Sequence, residues 1–153
     1  MEIERKFLIS PQVEILSHLG EYRCRRIEQG YLNTNPVVRV RQDEDSYYLT
    51  YKGAGLKVRE EYNLPLTKEA YAHLLKKADG MIITKDRYEI PYESYVIELD
   101  VFHGDYEGFL MAEVEFASEA ECDAFLPPEW FGEDVTGKKE YSNSFMSENK
   151  LRK

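Results

Sequence analysis

Residues 2–9, Glu2-Ile3-Glu4-Arg5-Lys6-Phe7-Leu8-Ile9, alternate in character with a period of two. Successive side chains of a β-strand point to opposite faces. One face of this segment therefore carries Glu2, Glu4 and Lys6, and the other Ile3, Arg5 and Phe7. The pattern returns at 22–32, 37–42, 46–52, 57–64, 81–89, 94–103 and 109–117, which predicts eight strands in all. Asp43-Glu44-Asp45 supplies a polar turn and Gly53-Ala54-Gly55 a flexible connection.

Helices are sparse. Thr67 reads as an N-cap, followed by Tyr71, Leu74, Leu75 and Ala78 at helical spacing, with Gly80 as the stop. Ser118 caps a short helix reaching Phe125, ended by Pro127-Pro128. Residues 141–149 are compatible with a third. Short connections favour antiparallel pairing. The expected fold is a β-dominated α+β domain over residues 1–153: a closed eight-stranded antiparallel barrel with helices packed outside, a sandwich being the alternative.

The decisive feature is where the charges fall. Strand by strand, one face offers Glu2, Glu4 and Lys6; Arg39 and Arg41; Lys52; Arg59 and Glu61, with Lys57 beside them; Lys85 and Arg87; Glu98 and Asp100; Glu113 and Glu115. The opposite face carries Ile3 and Phe7, Val38 and Val40, Leu49 and Tyr51, Ile97, Leu99 and Val101, Val114 and Phe116. With Lys57 aside, cations and carboxylates balance at seven each. A single charged doublet is most simply a solvated surface. Repetition on seven strands, sorted by sign, points instead to a charged lumen with the apolar faces under the outer helices. Dry burial of so many ions would cost several kcal/mol each, so the lumen must be wet. Carboxylate clusters bind hard divalent cations, and arginine and lysine bind phosphate oxygens. A metal–polyphosphate complex uses both, which implies phosphoryl transfer.

Bulk properties narrow the field. Of the 153 residues, 42% are apolar and 32% charged, with a net charge of −9. That disfavours DNA and anionic membranes as partners. The N-terminus lacks an apolar signal region, and no run reaches the length of a membrane-spanning helix. Cys24 and Cys122 have no CxxC spacing and read as reduced, buried thiols of a cytoplasmic protein.

Glu2-Ile3-Glu4-Arg5-Lys6 resembles the N-terminal ExExK motif of the triphosphate tunnel metalloenzymes, the CYTH superfamily. Val38-Arg39-Val40-Arg41, Lys52, Arg59-Glu60-Glu61, Lys85-Asp86-Arg87-Tyr88, Glu98-Leu99-Asp100 and Glu113-Val114-Glu115-Phe116 follow in the family's order, so the resemblance covers most of the chain. Its shortness is most similar to the compact bacterial inorganic triphosphatases. The resemblance implies that Glu2, Glu4, Asp100, Glu113 and Glu115 hold Mg²⁺ or Mn²⁺. Lys6, Arg39, Arg41, Lys52, Lys85 and Arg87 would grip phosphates, with Arg59 among the lumen cations. Glu61 and Glu98 would serve a second metal or orient lysines. Lys85 and Tyr31, the latter in Gln29-Gly30-Tyr31-Leu32, match a catalytic lysine–tyrosine pair, against the simpler reading of Tyr31 as barrel packing. Lys138 or Lys139 would add a cation.

The implied activity is metal-dependent hydrolysis of inorganic triphosphate to pyrophosphate and phosphate, by a monomer or homodimer. Two alternatives remain: an organic triphosphate substrate, hydrolysed or cyclised, and a non-catalytic polyphosphate-binding module. No P-loop is present, and His18, His73 and His103 lack ligand spacing. A glycosidase would leave Arg39, Arg41, Lys85 and Arg87 unexplained. A transmembrane barrel would turn Arg5, Glu60 and Asp86 to lipid.

Overall fold

A computed structural model describes residues 2–54 and 58–148. Lys57, Gly55 and residue 149, which figured in the expectations above, lie outside the described residues. Nine strands are present: β1 (Glu2–Leu8), β2 (Arg23–Thr34), β3 (Val37–Asp43), β4 (Ser46–Lys52), β5 (Val58–Arg59), β6 (Glu61–Pro65), β7 (Asp79–Tyr92), β8 (Tyr95–Phe102) and β9 (Leu110–Glu115). They form one antiparallel sheet in the order β5-β1-β9-β8-β7-β2-β3-β4-β6.

The ninth strand arises at Glu60. The single strand expected at 57–64 is divided there, so that β6 pairs with β4 and β5 pairs with β1. One continuous segment thus bridges the two edges of the sheet and curls it into a barrel. Curling removes the unpaired edges that an open sheet would expose.

Outside the barrel, α1 (Lys68–Leu75), α2 (Glu119–Ala124) and α3 (Asn143–Glu148) are short. Thr67 and Ser118 are the N-caps: their hydroxyls accept from the Ala70 and Glu121 amides at 3.1 and 3.2 Å. A 3₁₀ helix at Glu14–Glu21, which no capping signal announced, lays Ile15, Leu16 and Leu19 on the core. That core is external to the bore. The outer faces of β1, β7, β8 and β9 contribute Phe7, Ile90, Ile97, Leu99, Ala112 and Val114, sealed by Phe116, Cys122 and Phe125. Arg5 is the polar exception on this face. Its guanidinium donates to the Cys122 and Phe125 carbonyls at 3.2 and 3.0 Å and pairs with Asp134 at 2.9 Å, fastening the 122–134 segment over the strands.

A second apolar cluster, Ile83, Phe102, Tyr106, Met111, Val135 and Met146, includes side chains from the inner face. Phe102 is the register partner of Lys85 and Met111 that of Asp100. Together with α3 they close one end of the bore, so the tunnel is a cup.

Gly80 does not end a helix. It lies in β7 with φ +69°, and a Cβ there would fall 2.2 Å from the Ser147 carbonyl oxygen of α3. Only glycine permits both that backbone and that approach. Gly80→Ala is therefore expected to cost at least ~1–3 kcal/mol. Thermal unfolding should show a drop of about 2–4 °C for each kcal/mol. An unchanged midpoint would contradict this seating of α3.

Candidate functional site

Cross-strand register carries one face of the barrel from strand to strand. Glu4 lies opposite Glu115 and Lys6 opposite Glu113. Glu113 faces Glu98, and Asp100 faces Arg87. Arg87 faces Arg25, Gln29 faces Arg41, and Tyr31 faces Arg39. Arg39 faces Thr50, Lys52 faces Glu61, and Glu2 faces Arg59. Antiparallel partners share a face, so these side chains converge on a cavity of about 200 Å³. One water needs ~10–15 Å³ by the same kind of measure, so the bore is wet. Among the described residues, seven carboxylates and eight cations line it.

The two signs are segregated. Cations dominate β7, β2, β3 and β4, and carboxylates dominate β1, β9 and β8. On the cationic side, Arg87 forms a two-pronged pair with Asp100, Nε donating to Oδ1 at 2.7 Å and Nη2 to Oδ2 at 2.9 Å. Lys85 Nζ meets the same Oδ2 at 2.7 Å and donates to Asn143 Oδ1 at 2.8 Å. Burial pulls the Lys85 pKa down to about 7, against the opposing pull of Asp100. Arg41 Nε donates to Gln29 Oε1 at 2.7 Å. Gln29 Nε2 in turn donates to Tyr31 Oη at 3.2 Å and to Asn143 Oδ1 at 3.0 Å. Arg39 donates to Thr50 at 3.1 Å, but its buried Nε has no hydrogen-bond partner. An unsatisfied buried guanidinium N–H is costly, and an anion in the cavity would complete it.

The carboxylate side behaves in the opposite way. One oxygen from each of Glu2, Glu4 and Glu115 can be chosen so that all lie within 4.8 Å of one another. Burial and then Glu113 push the Glu4 carboxyl up to about 8. Burial and then Glu98 and Glu2 push Glu115 up to about 7. Glu98 is also raised, by burial above all. Their neighbours escape: Glu113 is buried, yet Arg87, Lys6 and Lys85 outweigh that burial and hold it well below the usual range. Glu61 falls to about 2, burial being overcome by its hydrogen bond with Glu2 and by Lys52. Lys52 reaches both Glu2, at 3.2 Å, and Glu61, at 3.4 Å, and Arg59 approaches Glu2 at 3.5 Å. A crowd of hard oxygen donors with surplus negative charge is what a small divalent cation satisfies, and this donor set fits one.

Of the residues singled out from the sequence, Glu2, Glu4, Lys6, Tyr31, Arg39, Arg41, Lys52, Arg59, Glu61, Lys85, Arg87, Glu98, Glu113 and Glu115 all line the cavity. Asp100 is fully buried behind that lining, its two oxygens engaged by Arg87 and Lys85. Tyr31 connects to Lys85 through Gln29 and Asn143. Lys138 and Lys139 are exposed, and Lys138 pairs with Glu133. Cys122 is buried as expected, whereas Cys24 is exposed.

Several lining residues escaped the sequence reading. Arg25 pairs with Asp43 and reaches Glu98 at 3.2 Å. Arg25 sits at i−2 and i−4 from Ile27 and Gln29, so period two held the signal, but Arg23 and Arg26 obscured it. Asn143 comes from a helix rather than a strand and carried no periodic signal at all.

Comparison with known proteins agrees with this geometry. A model of the CYTH domain matches residues 1–142. The inorganic triphosphatase of Nitrosomonas europaea is 36% identical over 151 residues, spanning 95% of this chain and 96% of that protein. The inorganic triphosphatase of Acetivibrio thermocellus is 35% identical over 156 residues, spanning 97% and 94%. The crystal structure of the inorganic triphosphatase NE1496 superposes with a TM-score of 0.70 at 34% identity, covering 97% of this chain and 95% of that one. Its barrel, the charged face of that barrel and these matches place the chain in the CYTH domain family.

Proposed function

We propose that this protein is an inorganic triphosphatase, using water to split tripolyphosphate into pyrophosphate and orthophosphate with the help of Mg²⁺ or Mn²⁺. The observation that carries the reading is the opposition, across one wet cavity, of a proton-hungry carboxylate cluster and a wall of arginine and lysine. The names of the relatives support the same activity. The lining supports a bare phosphate chain over an organic triphosphate: among the described residues, Val37 is its only aliphatic member, and Tyr31 and Tyr48 are its only aromatic ones. A nucleobase or thiazole ring would find little apolar surface there. No helix among the described residues is long and apolar enough to cross a membrane.

Glu2, Glu4 and Glu115 would hold the divalent ion, and Glu113, Glu98 and Glu61 line the same cavity as candidates for a second. When bound, such an ion neutralises phosphate charge and acidifies a coordinated water. Arg39, Arg41 and Arg87 offer guanidinium N–H groups to the phosphate oxygens, with Lys6, Lys52, Arg59 and Lys85 as point charges. Their fixed positions stabilise charge as it spreads over the transferred phosphoryl oxygens. Asp100, two ion pairs deep, serves to fix Arg87 and Lys85. Tyr31 lines the cavity and accepts from Gln29, and Lys85, whose pKa of about 7 makes its neutral amine accessible, takes the proton released by attacking water, with Tyr31 as its partner.

Glu4→Gln is expected to abolish metal-dependent phosphate release from tripolyphosphate, and chelation should do the same to the native protein. Full turnover in EDTA would refute the reading. In a substrate panel, tripolyphosphate should exceed ATP and thiamine triphosphate in kcat/KM; preference for an organic triphosphate would favour the alternative.

Electrostatic strain in the metal-free cluster gives a second test. Glu4 and Glu115 hold protons more tightly folded than unfolded, so their contribution to stability is lost as pH rises through about 7 to 8. Lys85 trends the opposite way with pH, so the comparison is with Glu115→Gln: in EDTA the midpoint of the native protein relative to that variant should fall between pH 6 and 9, and added Mg²⁺ should restore the native midpoint most at pH 9. Glu115→Gln should raise the metal-free midpoint at pH 9 and weaken the restoration. A difference from the variant that is flat with pH, and a native midpoint indifferent to Mg²⁺, would count against the cluster as a cation site.

A further inference from the structure

The floor of the cup depends on a residue outside the barrel. Asn143 opens α3, is buried, and turns its side-chain oxygen inward. That oxygen accepts from Lys85 Nζ at 2.8 Å and from Gln29 Nε2 at 3.0 Å, which uses both its lone pairs. As an ammonium, Lys85 has three N–H groups. Asp100 takes one, at 2.7 Å, and Asn143 a second, so the third remains for an oxygen in the cavity that Lys85 lines. Asp100 alone would leave the ammonium free to swing about a single contact. Two acceptors at different positions fix its direction.

Gln29 extends the effect. Its amide nitrogen is shared between Asn143 Oδ1 and Tyr31 Oη, and its amide oxygen holds Arg41 Nε at 2.7 Å. Turning the Gln29 amide would break the contacts to Asn143 and Arg41 together and would turn Tyr31 from acceptor to donor. Asn143 Oδ1 tells the two orientations apart, because it can only accept. One carbonyl oxygen thus sets the direction of Lys85 and, through Gln29, the orientation of Tyr31 and Arg41.

We propose that Asn143 is a positioning residue for the reaction, and that seating α3 against the barrel is what orders the Lys85–Tyr31–Arg41 floor. Gly80 serves the same end, since it allows α3 to approach β7 closely enough for the contact. Asn143 need not touch substrate. It makes the C-terminal helix a working part of the cup, where a mere stopper would only need bulk. The proposal rests on the triphosphatase reading.

The test compares Asn143→Leu, which keeps the bulk and removes the acceptor, with Asn143→Asp, which keeps the acceptor and adds charge. Mn²⁺-dependent tripolyphosphate hydrolysis is measured on full-length protein. N143L should lose about 10–100-fold in kcat, the range typical of supporting hydrogen bonds, with KM changed little. N143D should keep kcat within a few-fold and raise KM, because a new carboxylate repels the phosphate chain. Addition of Lys85→Ala to N143L should cost less than it does in the native protein. Should N143L fail to fold, Asn143→Ser replaces it, as its hydroxyl is too short to reach both donors. Native-like kcat in a folded N143L, or equal loss of kcat in both variants, overturns the proposal. Lack of turnover by the native protein would instead remove the triphosphatase reading. Positioning is then read by ¹⁵N NMR of the lysine ammonium groups: a sharp Lys85 Nζ signal in native protein that broadens in N143L supports it, and an identical signal in both overturns it.

Discussion

Charge held inside a barrel must be balanced atom by atom, and the buried Lys85–Asp100–Arg87 triad is where this structure meets that constraint first. Asp100 is fully buried and could not remain ionised there alone. Arg87 and Lys85, themselves deeply buried, hold its carboxyl below the usual range in spite of burial. Asp100 stays ionised because both cations are in place, and its charge in turn favours the charged forms of Arg87 and Lys85. The triad fixes the height at which β7 and β8 present their remaining charges to the bore. The external apolar core holds those strands in register, so packing on one face sets the electrostatics of the other.

Away from the triad the balance is deliberately incomplete. Glu2, Glu4 and Glu115 crowd together closely enough to push Glu4 and Glu115 above the usual carboxylate range, while Arg39 keeps a buried N–H without an acceptor. A protein relaxing only toward its own stability would have interleaved these groups. Their separation stores unfavourable interactions that a cation on one side and an anion on the other would both relieve. That is the sense in which the cup is preorganised: its own residues are arranged for charges that it does not itself supply.

Much of this was legible in the sequence because strands have a period of two. Glu2/Glu4, Arg39/Arg41, Lys85/Arg87 and Glu113/Glu115 each announced a face, and Thr67 and Ser118 announced helix starts through local chemistry. What stayed hidden depended on tertiary geometry. The division at Glu60 follows from closing the sheet, which no local pattern encodes. Gly80 looked like a helix stop because glycine serves there often; its reason is a helix that arrives from more than sixty residues away. Asp100 carried the same i, i+2 spacing as true lining residues, and only its ion pairs show that it stands behind them. Asn143 had no periodicity to betray it.

The central claim is that metal and phosphate meet inside the bore with the two charge walls on opposite sides of them. A crystal structure with Mn²⁺ and a non-hydrolysable triphosphate, with the manganese located by anomalous scattering, tests it most directly. The account predicts a manganese peak among Glu2, Glu4 and Glu115, with phosphate oxygens against Arg39, Arg41, Lys85 and Arg87. Manganese and phosphate bound on the outer surface, with the bore left to water, would contradict it.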